Sequence, residues 1–454
     1  MVEEEHERKQ DSHRGLLIDL VESLRGRLAS VEFCHRHRLK PCYFTRNRIM
    51  RLPRVVLFIL QKTTRSIQRH LHDFLRCLDQ ADEPLQCTAG AWSQARAKLS
   101  HRAFVELNDE LLIPMAYGAS DPADLPKLWR GRRLVGFDSS MLHLPQSSSV
   151  IEQFGLIEAA NQLGRSGVVR CMGRLSLAFD VLNRLGWDMC LCPVSRSEGD
   201  MALEHLRTLK AGDVALVDRG YTGFEWLARM SQRGVDVVAR CSTGSFAAVQ
   251  ALFRRDEAGV SQRVCLKRPA GRAIPQVPAQ LEVRLVTVRL STGELEVLLT
   301  TLLDEQSYPT QEFAQLYHLR WNVETCYLML KSRLELENWS GLTLEAVHQD
   351  LAATLLVFNL ESLLTRRAQQ SLDEGGARRK HRQQVNRAVA YHALKSQVVE
   401  LLAGEDEPEV VLQKLHDLFI ASPVCCRSAR ASPRGTQIAA RSYLYQRTVK
   451  KTVF

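Results

Sequence analysis

The sequence lacks any run able to cross a bilayer. Its densest apolar stretch, Val55 to Leu60, is six residues long between Arg54 and Lys62, against the roughly 18 apolar residues a spanning helix needs. It lacks a secretory leader as well, because the opening MVEEEHERKQDSHRG is acidic and polar; a cytoplasmic protein with no membrane partner is expected. Paired C-x₂₋₄-C spacing is absent from its 12 cysteines. Cys34 with His35, His37 and Cys42, and the Cys190/Cys192 and Cys425/Cys426 pairs, therefore read as reduced packing residues, not zinc ligands.

Acid is missing from Cys34 to His72. That stretch carries ten basic residues (Arg36, Arg38, Lys40, Arg46, Arg48, Arg51, Arg54, Lys62, Arg65 and Arg69) without one Asp or Glu. They interleave with Tyr43 and Phe44 and with apolar positions at helical spacing, including Val56, Ile59, Leu60 and Ile67. An ordered segment of one sign suits phosphate contacts better than solubility. The whole chain leans the same way, with 61 Lys and Arg against 51 Asp and Glu and a formal charge of +10, a surplus that suits a polyanionic partner.

At 454 residues the chain is long enough for several domains. A polar leader is expected over 1–30, followed by an all-helical, DNA-binding domain over 31–125. In residues 87–112 Thr88 and Ser100 can each cap a helix, leaving Ser93, Gln94, Arg96 and Lys98 on an exposed face. A DNA-reading helix and a plain helical hairpin fit that pattern equally. From 126 to 240 the texture changes to strands. RRLVGFDSS ends in Asp138, Arg174 to Leu182 and Trp187 to Val194 form a hairpin, VALVDRGYTG carries Asp218, and VDVVAR is a further strand. The order predicts an α/β core with a mixed sheet and helices on its faces. Asp138 and Asp218 then stand at strand ends, where open α/β sheets place their sites. Residues 241–306 read as a β-rich insertion, 307–372 as the core resumed in helices, and 373–454 as a basic helical C-terminal region whose end, from Arg427, is an acid-free arm.

The segment YHLRWNVETCYLMLK, from Tyr317 to Lys331, organises the remainder. At about 100° per residue, Tyr317, Arg320, Glu324 and Lys331 share one narrow stripe, with Leu316, Leu319, Val323, Tyr327 and Leu330 on an apolar face beside it. Phosphodiester chemistry by two divalent ions needs converging acids that stabilise both the attacking and the leaving oxygen, and Asp138, Asp218 and Glu324 make a reasonable set. Asp180, Asp188, Glu198, Asp200 and Asp213 compete for the role, the first two in or beside the hairpin and the last three resembling turn or cap residues.

The spacing Y-x2-R-x3-E-x6-K of Tyr317, Arg320, Glu324 and Lys331, with FDSS at Asp138 and DRGY at Asp218, resembles the DDE transposases of insertion sequence family four, the group that holds the Tn-five type enzymes. YFTRNR and AWSQARAKLS look like that family's N-terminal domain, and the resemblance covers roughly residues 31 to 450. It implies an RNase H-like core interrupted by a β insertion. It implies that Asp138, Asp218 and Glu324 hold two Mg²⁺ ions, with Mn²⁺ as a substitute, and that Tyr317, Arg320 and Lys331 grip DNA phosphates. It further implies a nucleoid-associated, cut-and-paste enzyme that binds terminal inverted repeats and target DNA as a synaptic homodimer, leaving 3′-hydroxyls that it joins to the target. Ser139 stands where many relatives have glycine. No Trp lies between Cys241 and Gln306, so a hairpin intermediate is not carried over. The rivals are a nuclease that cuts without joining and a DNA-binding relative with an inert triad.

Overall fold

The computed structural model describes residues 2–62, 66–79, 86–119, 121–122, 124–158, 169–269, 277–290, 292–376 and 379–426. The basic arm from Arg427 and most of the 269–278 loop lie outside them. In chain order the elements are α1 (Val2–Ala29), α2 (Val31–His37), α3 (Leu52–Gln61), α4 (Ile67–Asp79), α5 (Ala89–Arg96), α6 (Arg102–Glu106), α7 (Ile113–Gly118), β1 (Leu134–His143), α8 (Ser148–Phe154), β2 (Leu156–Glu158), β3 (Val169–Asp180) and β4 (Leu185–Pro193). They continue as α9 (Glu198–Glu204), β5 (Val214–Val217), α10 (Phe224–Gln232), β6 (Asp236–Arg240), α11 (Ala247–Arg255), β7 (Ser261–Lys267), β8 (Gln280–Arg289), β9 (Leu295–Thr300), α12 (Phe313–His318), α13 (Trp321–Ser332), α14 (Leu344–Glu374), β10 (Arg382–Gln384), α15 (Arg387–Ala403), α16 (Pro408–Ala421) and β11 (Val424–Cys426). They fall into two compact units, a helical one (Met1–Pro126, His143–Met172 and Leu330–Phe454) and one built on strands (Lys127–Leu142 and Gly173–Met329).

In the helical unit residues 2–29 form one helix, α1, which includes the GLLIDLVESLRGRL stretch of helical pattern. The core is α14, apolar on nearly every face, as suits a helix enclosed by others; Thr343 starts it by accepting from the Ala346 N–H at 3.2 Å. Arg96, expected on an exposed face, is 5% exposed. Its guanidinium donates to Gln349 Oε1 at 2.8 Å, Ser340 Oγ at 2.6 Å, and the Ala346 carbonyl and Asp350 Oδ1 at 3.0 and 2.9 Å. The capped start at Thr88 is present, its hydroxyl accepting from the Ala91 N–H, but the last turn of α5 faces the core.

Among the described residues nine strands form one mixed sheet in the order β2-β3-β1-β5-β6-β9-β8-β7, with β4 paired to β3. In the strand-built unit β5 is parallel to β1 and to β6, and all four of its residues are buried, as a central parallel strand requires. Strand β9 runs against β6, so β7 to β9, from the stretch read as an insertion, extend the same sheet. This architecture fits an RNase H-like core.

Two local expectations need correction. Asp138 does not end its strand: β1 continues to His143, while its pairing with β5 covers only Leu134 to Gly136. Asp138 therefore stands just beyond the point where the two strands part. The single helix expected over Tyr317 to Lys331 is two, α12 and α13. Between them the backbone tightens to three-residue spacing, Arg320 N–H reaching the Tyr317 carbonyl and Val323 N–H the Arg320 carbonyl, both at 3.0 Å. No glycine or proline marks this turn; it lets the Arg320 guanidinium lie over the Tyr317 and Trp321 rings, 5.6 and 4.8 Å from their centroids.

Candidate active site

The strand-built unit brings helix α13 hard against β1. Gly136 permits it: a Cβ there would lie 2.2 Å from Val323 Cγ2. One turn further along α13, the buried Tyr327 hydroxyl donates to the Asp138 carbonyl at 2.9 Å and the Leu175 carbonyl at 3.0 Å, tying helix, β1 and β3 together. Glu324 is thereby presented beside Asp138. Arg320, 1% exposed, reaches both: Nη2 donates to Glu324 Oε1 at 2.9 Å, and Nη1 lies 3.9 Å from Asp138 Oδ2.

Asp218 follows β5, and its Oδ1 accepts from the Arg219 N–H at 2.7 Å in a local turn. Its main partner is Arg240, at the end of the neighbouring β6. The guanidinium grips both carboxylate oxygens, at 2.8 and 2.9 Å, and donates its remaining arm to Glu296 at 3.0 Å. Such a fork is the strongest geometry available to a carboxylate.

The two aspartates differ in electrostatics. Burial pushes the Asp138 carboxyl up to about 6, the Glu324 and Glu198 carboxylates adding to the effect against the Ser139 N–H and Arg320. Burial also opposes ionisation of Asp218, but Arg240 and the Arg219 N–H prevail and hold it below its ordinary value. An acid flanked by acids and held up in this way is typical of functional sites.

Tyr317 is 3% exposed and its hydroxyl donates to the Val217 carbonyl at 3.2 Å, bracing the residue before Asp218. Lys331 lies in the last turn of α13, within the helical unit; burial lowers its pKa against the pull of Glu337. Of the competing acids, Asp180 closes the β3–β4 turn through the Leu182 and Asn183 N–H groups. Asp188 pairs with His205 and Arg207, Asp213 with Arg133, and Asp200 with the Ser197 hydroxyl. Glu198 differs from the cap role expected of it: Ser197 caps α9, and the Glu198 carboxylate accepts from Ser139 Oγ at 2.6 Å and Arg174 Nη1 at 3.0 Å. Arg240 was not among the residues the sequence pointed to, and the register of β5 and β6 is the signal that could have found it; Glu198 stood among the competing acids as a turn or cap residue.

Among the described residues no three His, Cys, Asp or Glu side chains stand close enough together to hold a metal ion as they are. Arg240 and Arg320 take the carboxylates instead. The donor set nevertheless suits a hard cation, being carboxylate oxygens alone.

The helical unit offers a second surface. The 42–50 loop and α5 enclose a cavity of about 780 Å³ lined by Tyr43, Arg46, Asn47, Arg48, Gln94 and Lys98 among others, with no carboxylate among the described residues. The Lys40 and Lys98 ammonium groups lie 5.8 and 5.7 Å from the Tyr43 ring centroid.

The transposase DDE domain family matches residues 129–360, just over half of the chain. This chain belongs to that family. The matched range contains both aspartates, the glutamate and every side chain described around them. No curated protein matches the sequence. A cryo-EM structure of the piggyBac transposase synaptic complex with hairpin DNA aligns over 89% of this DDE transposase and 75% of that chain at a TM-score of 0.39 and 9% identity, a likeness too low to carry an argument. No helix among the described residues is long and apolar enough to cross a membrane.

Proposed function

We propose that this DDE transposase works by cut and paste: it binds terminal inverted repeats, hydrolyses DNA at the element ends to leave 3′-hydroxyls, and joins those ends to target DNA as a synaptic homodimer. The observation that carries the reading is the approach of Asp138 and Glu324 to one buried guanidinium, with Asp218 just past the end of the adjacent strand β5. Acids brought together in this way are costly unless cations offset them.

Asp138, Asp218 and Glu324 would hold two Mg²⁺ ions, Mn²⁺ substituting; when bound, such ions stabilise the attacking and leaving oxygens of an in-line displacement. The protein's own residues do the rest. Arg320 offsets the charge of Glu324 and Asp138, and its guanidinium would turn to a DNA phosphate where the cations take those carboxylates. Arg240 holds Asp218 ionised and oriented. Tyr317 sets the end of β5, and Lys331 adds a flexible charge for the backbone. The basic cavity wall around Tyr43, Arg46 and Arg48 supplies sequence-independent grip on the repeats, with Asn47 and Gln94 as base-reading types.

The test is incubation with linear DNA bearing candidate terminal repeats, a supercoiled target and Mg²⁺, using wild type and Glu324→Ala. Joined products from the wild type alone support the reading. Cuts without joining support the simple nuclease, and identical products from both proteins exclude Glu324 from the chemistry.

A further inference from the structure

Three residues after Asp218 lies a polar group that the three-acid reading does not use. Tyr221, of the DRGY segment, is 1% exposed, and its hydroxyl has no hydrogen-bond partner. The charges it feels are those of Glu198, Asp138, Arg174 and Asp218. Buried hydroxyls are almost always satisfied, so one left open amid carboxylates marks a place for a missing ligand or its water. Arg174 Nε, on the residue that pairs with Glu198, is likewise buried and unpartnered.

Three sequence features converge on Glu198. Ser139, adjacent to Asp138, donates its N–H to Asp138 Oδ1 at 2.8 Å and its hydroxyl to Glu198 Oε1 at 2.6 Å, linking the two acids through one residue. Arg174 fixes the same oxygen. Glu198 Oε2 lies 2.6 Å from where a Cβ on Gly220 would be, so the glycine after Asp218 and Arg219 leaves room for this carboxylate. Ser139 thus has a hydrogen-bonding task on both acids.

We propose that Glu198 is a fourth acidic member of the cation site, a positioning residue that acts on the ion held by Asp138 through its charge and through a water fixed by the Tyr221 hydroxyl. The inference rests on the triad being a divalent-cation site. It assigns the ligand class as a hydrated divalent cation, with Glu198 and Tyr221 outside its direct ligands. Partners of this kind typically contribute about 10–100-fold to metal affinity.

The experiment is Mn²⁺ titration of the DNA-free, full-length protein followed by the free-ion paramagnetic resonance signal, with thermal melts in chelator alongside. Glu198→Gln keeps an acceptor for Ser139 and is expected to weaken Mn²⁺ binding about tenfold, with Glu198→Asp restoring most of it. Tyr221→Phe removes a hydroxyl that has no partner, so its melting temperature in chelator stays level or rises, while its Mn²⁺ affinity falls about two- to threefold, an effect no packing role would produce. Asp218→Asn separates the two claims. If it loses Mn²⁺ while Glu198→Gln and Tyr221→Phe bind as wild type, the inference is overturned and the triad stands; if Asp218→Asn also binds as wild type, the triad reading has failed.

Discussion

Arg96 in the helical unit and Arg320 in the strand-built unit are both buried arginines paired with acids, yet their surroundings differ. The Arg96 guanidinium has four acceptors, and its partner Asp350 also accepts from the Ser340 N–H and hydroxyl. That network is closed. Arg320 holds Glu324 closely but Asp138 only at 3.9 Å, its Nε has no acceptor, and the Tyr221 hydroxyl is likewise open. A satisfied network fixes a core in one arrangement, whereas a donor left open beside acids has room for a ligand or water.

Substitutions at the two arginine centres should therefore fail in different ways. The largest effect is on catalysis: Glu324→Ala is expected to lower DNA cleavage at least about 10³-fold, as loss of several kcal/mol of charge stabilisation implies, with little change in melting temperature. Comparable activity in cleavage assays of the two proteins would dissolve the contrast. Next is stability in the closed network. Arg96→Ala strands Asp350, which is 1% exposed, and should cost about 3–5 kcal/mol in chemical denaturation; a cost below about 1 kcal/mol would show the network to be looser than its geometry.

Asp138→Asn is expected to move stability the other way. The native carboxyl keeps its proton to a pH of about 6, against an ordinary 3.8, so the native state binds more protons than the unfolded chain between these values. Stability consequently falls as pH rises through that window. In chelator at pH 7 the variant should be about 1–3 kcal/mol more stable than wild type, the gain fading towards pH 4; a gain that persists at pH 4 would point to packing instead. The smallest effect belongs to the cavity in the helical unit. Removing Arg46 should lower the slope of log affinity against log salt by about 0.9 if it meets one phosphate, without changing the melting temperature.

The apolar pattern made much of this legible. VALV, VDVVAR and the three runs of 261–300 are strands because β-branched runs between turn residues have few alternatives, and the mixed sheet follows from their order. The spacing of Arg320 and Glu324 also survives, since i,i+4 neighbours meet even when the preceding turn tightens. Tertiary relations were hidden. Arg240 grips Asp218 because β5 and β6 are parallel and in register at Val217 and Ala239, and Glu198 reaches Ser139 across 59 positions. The same holds for Arg96, a polar residue on an apparently polar face, whose partners lie some 250 positions away.

The most direct measurement of the central claim is cleavage of the polypeptide by hydroxyl radicals from Fe²⁺ substituted for Mg²⁺, with the cut sites mapped by mass spectrometry. Cuts clustered at Asp138, Asp218 and Glu324, suppressed by excess Mg²⁺ and lost in Asp218→Asn, are the predicted result. Cuts elsewhere, or cuts that neither Mg²⁺ nor that substitution alters, would contradict the account.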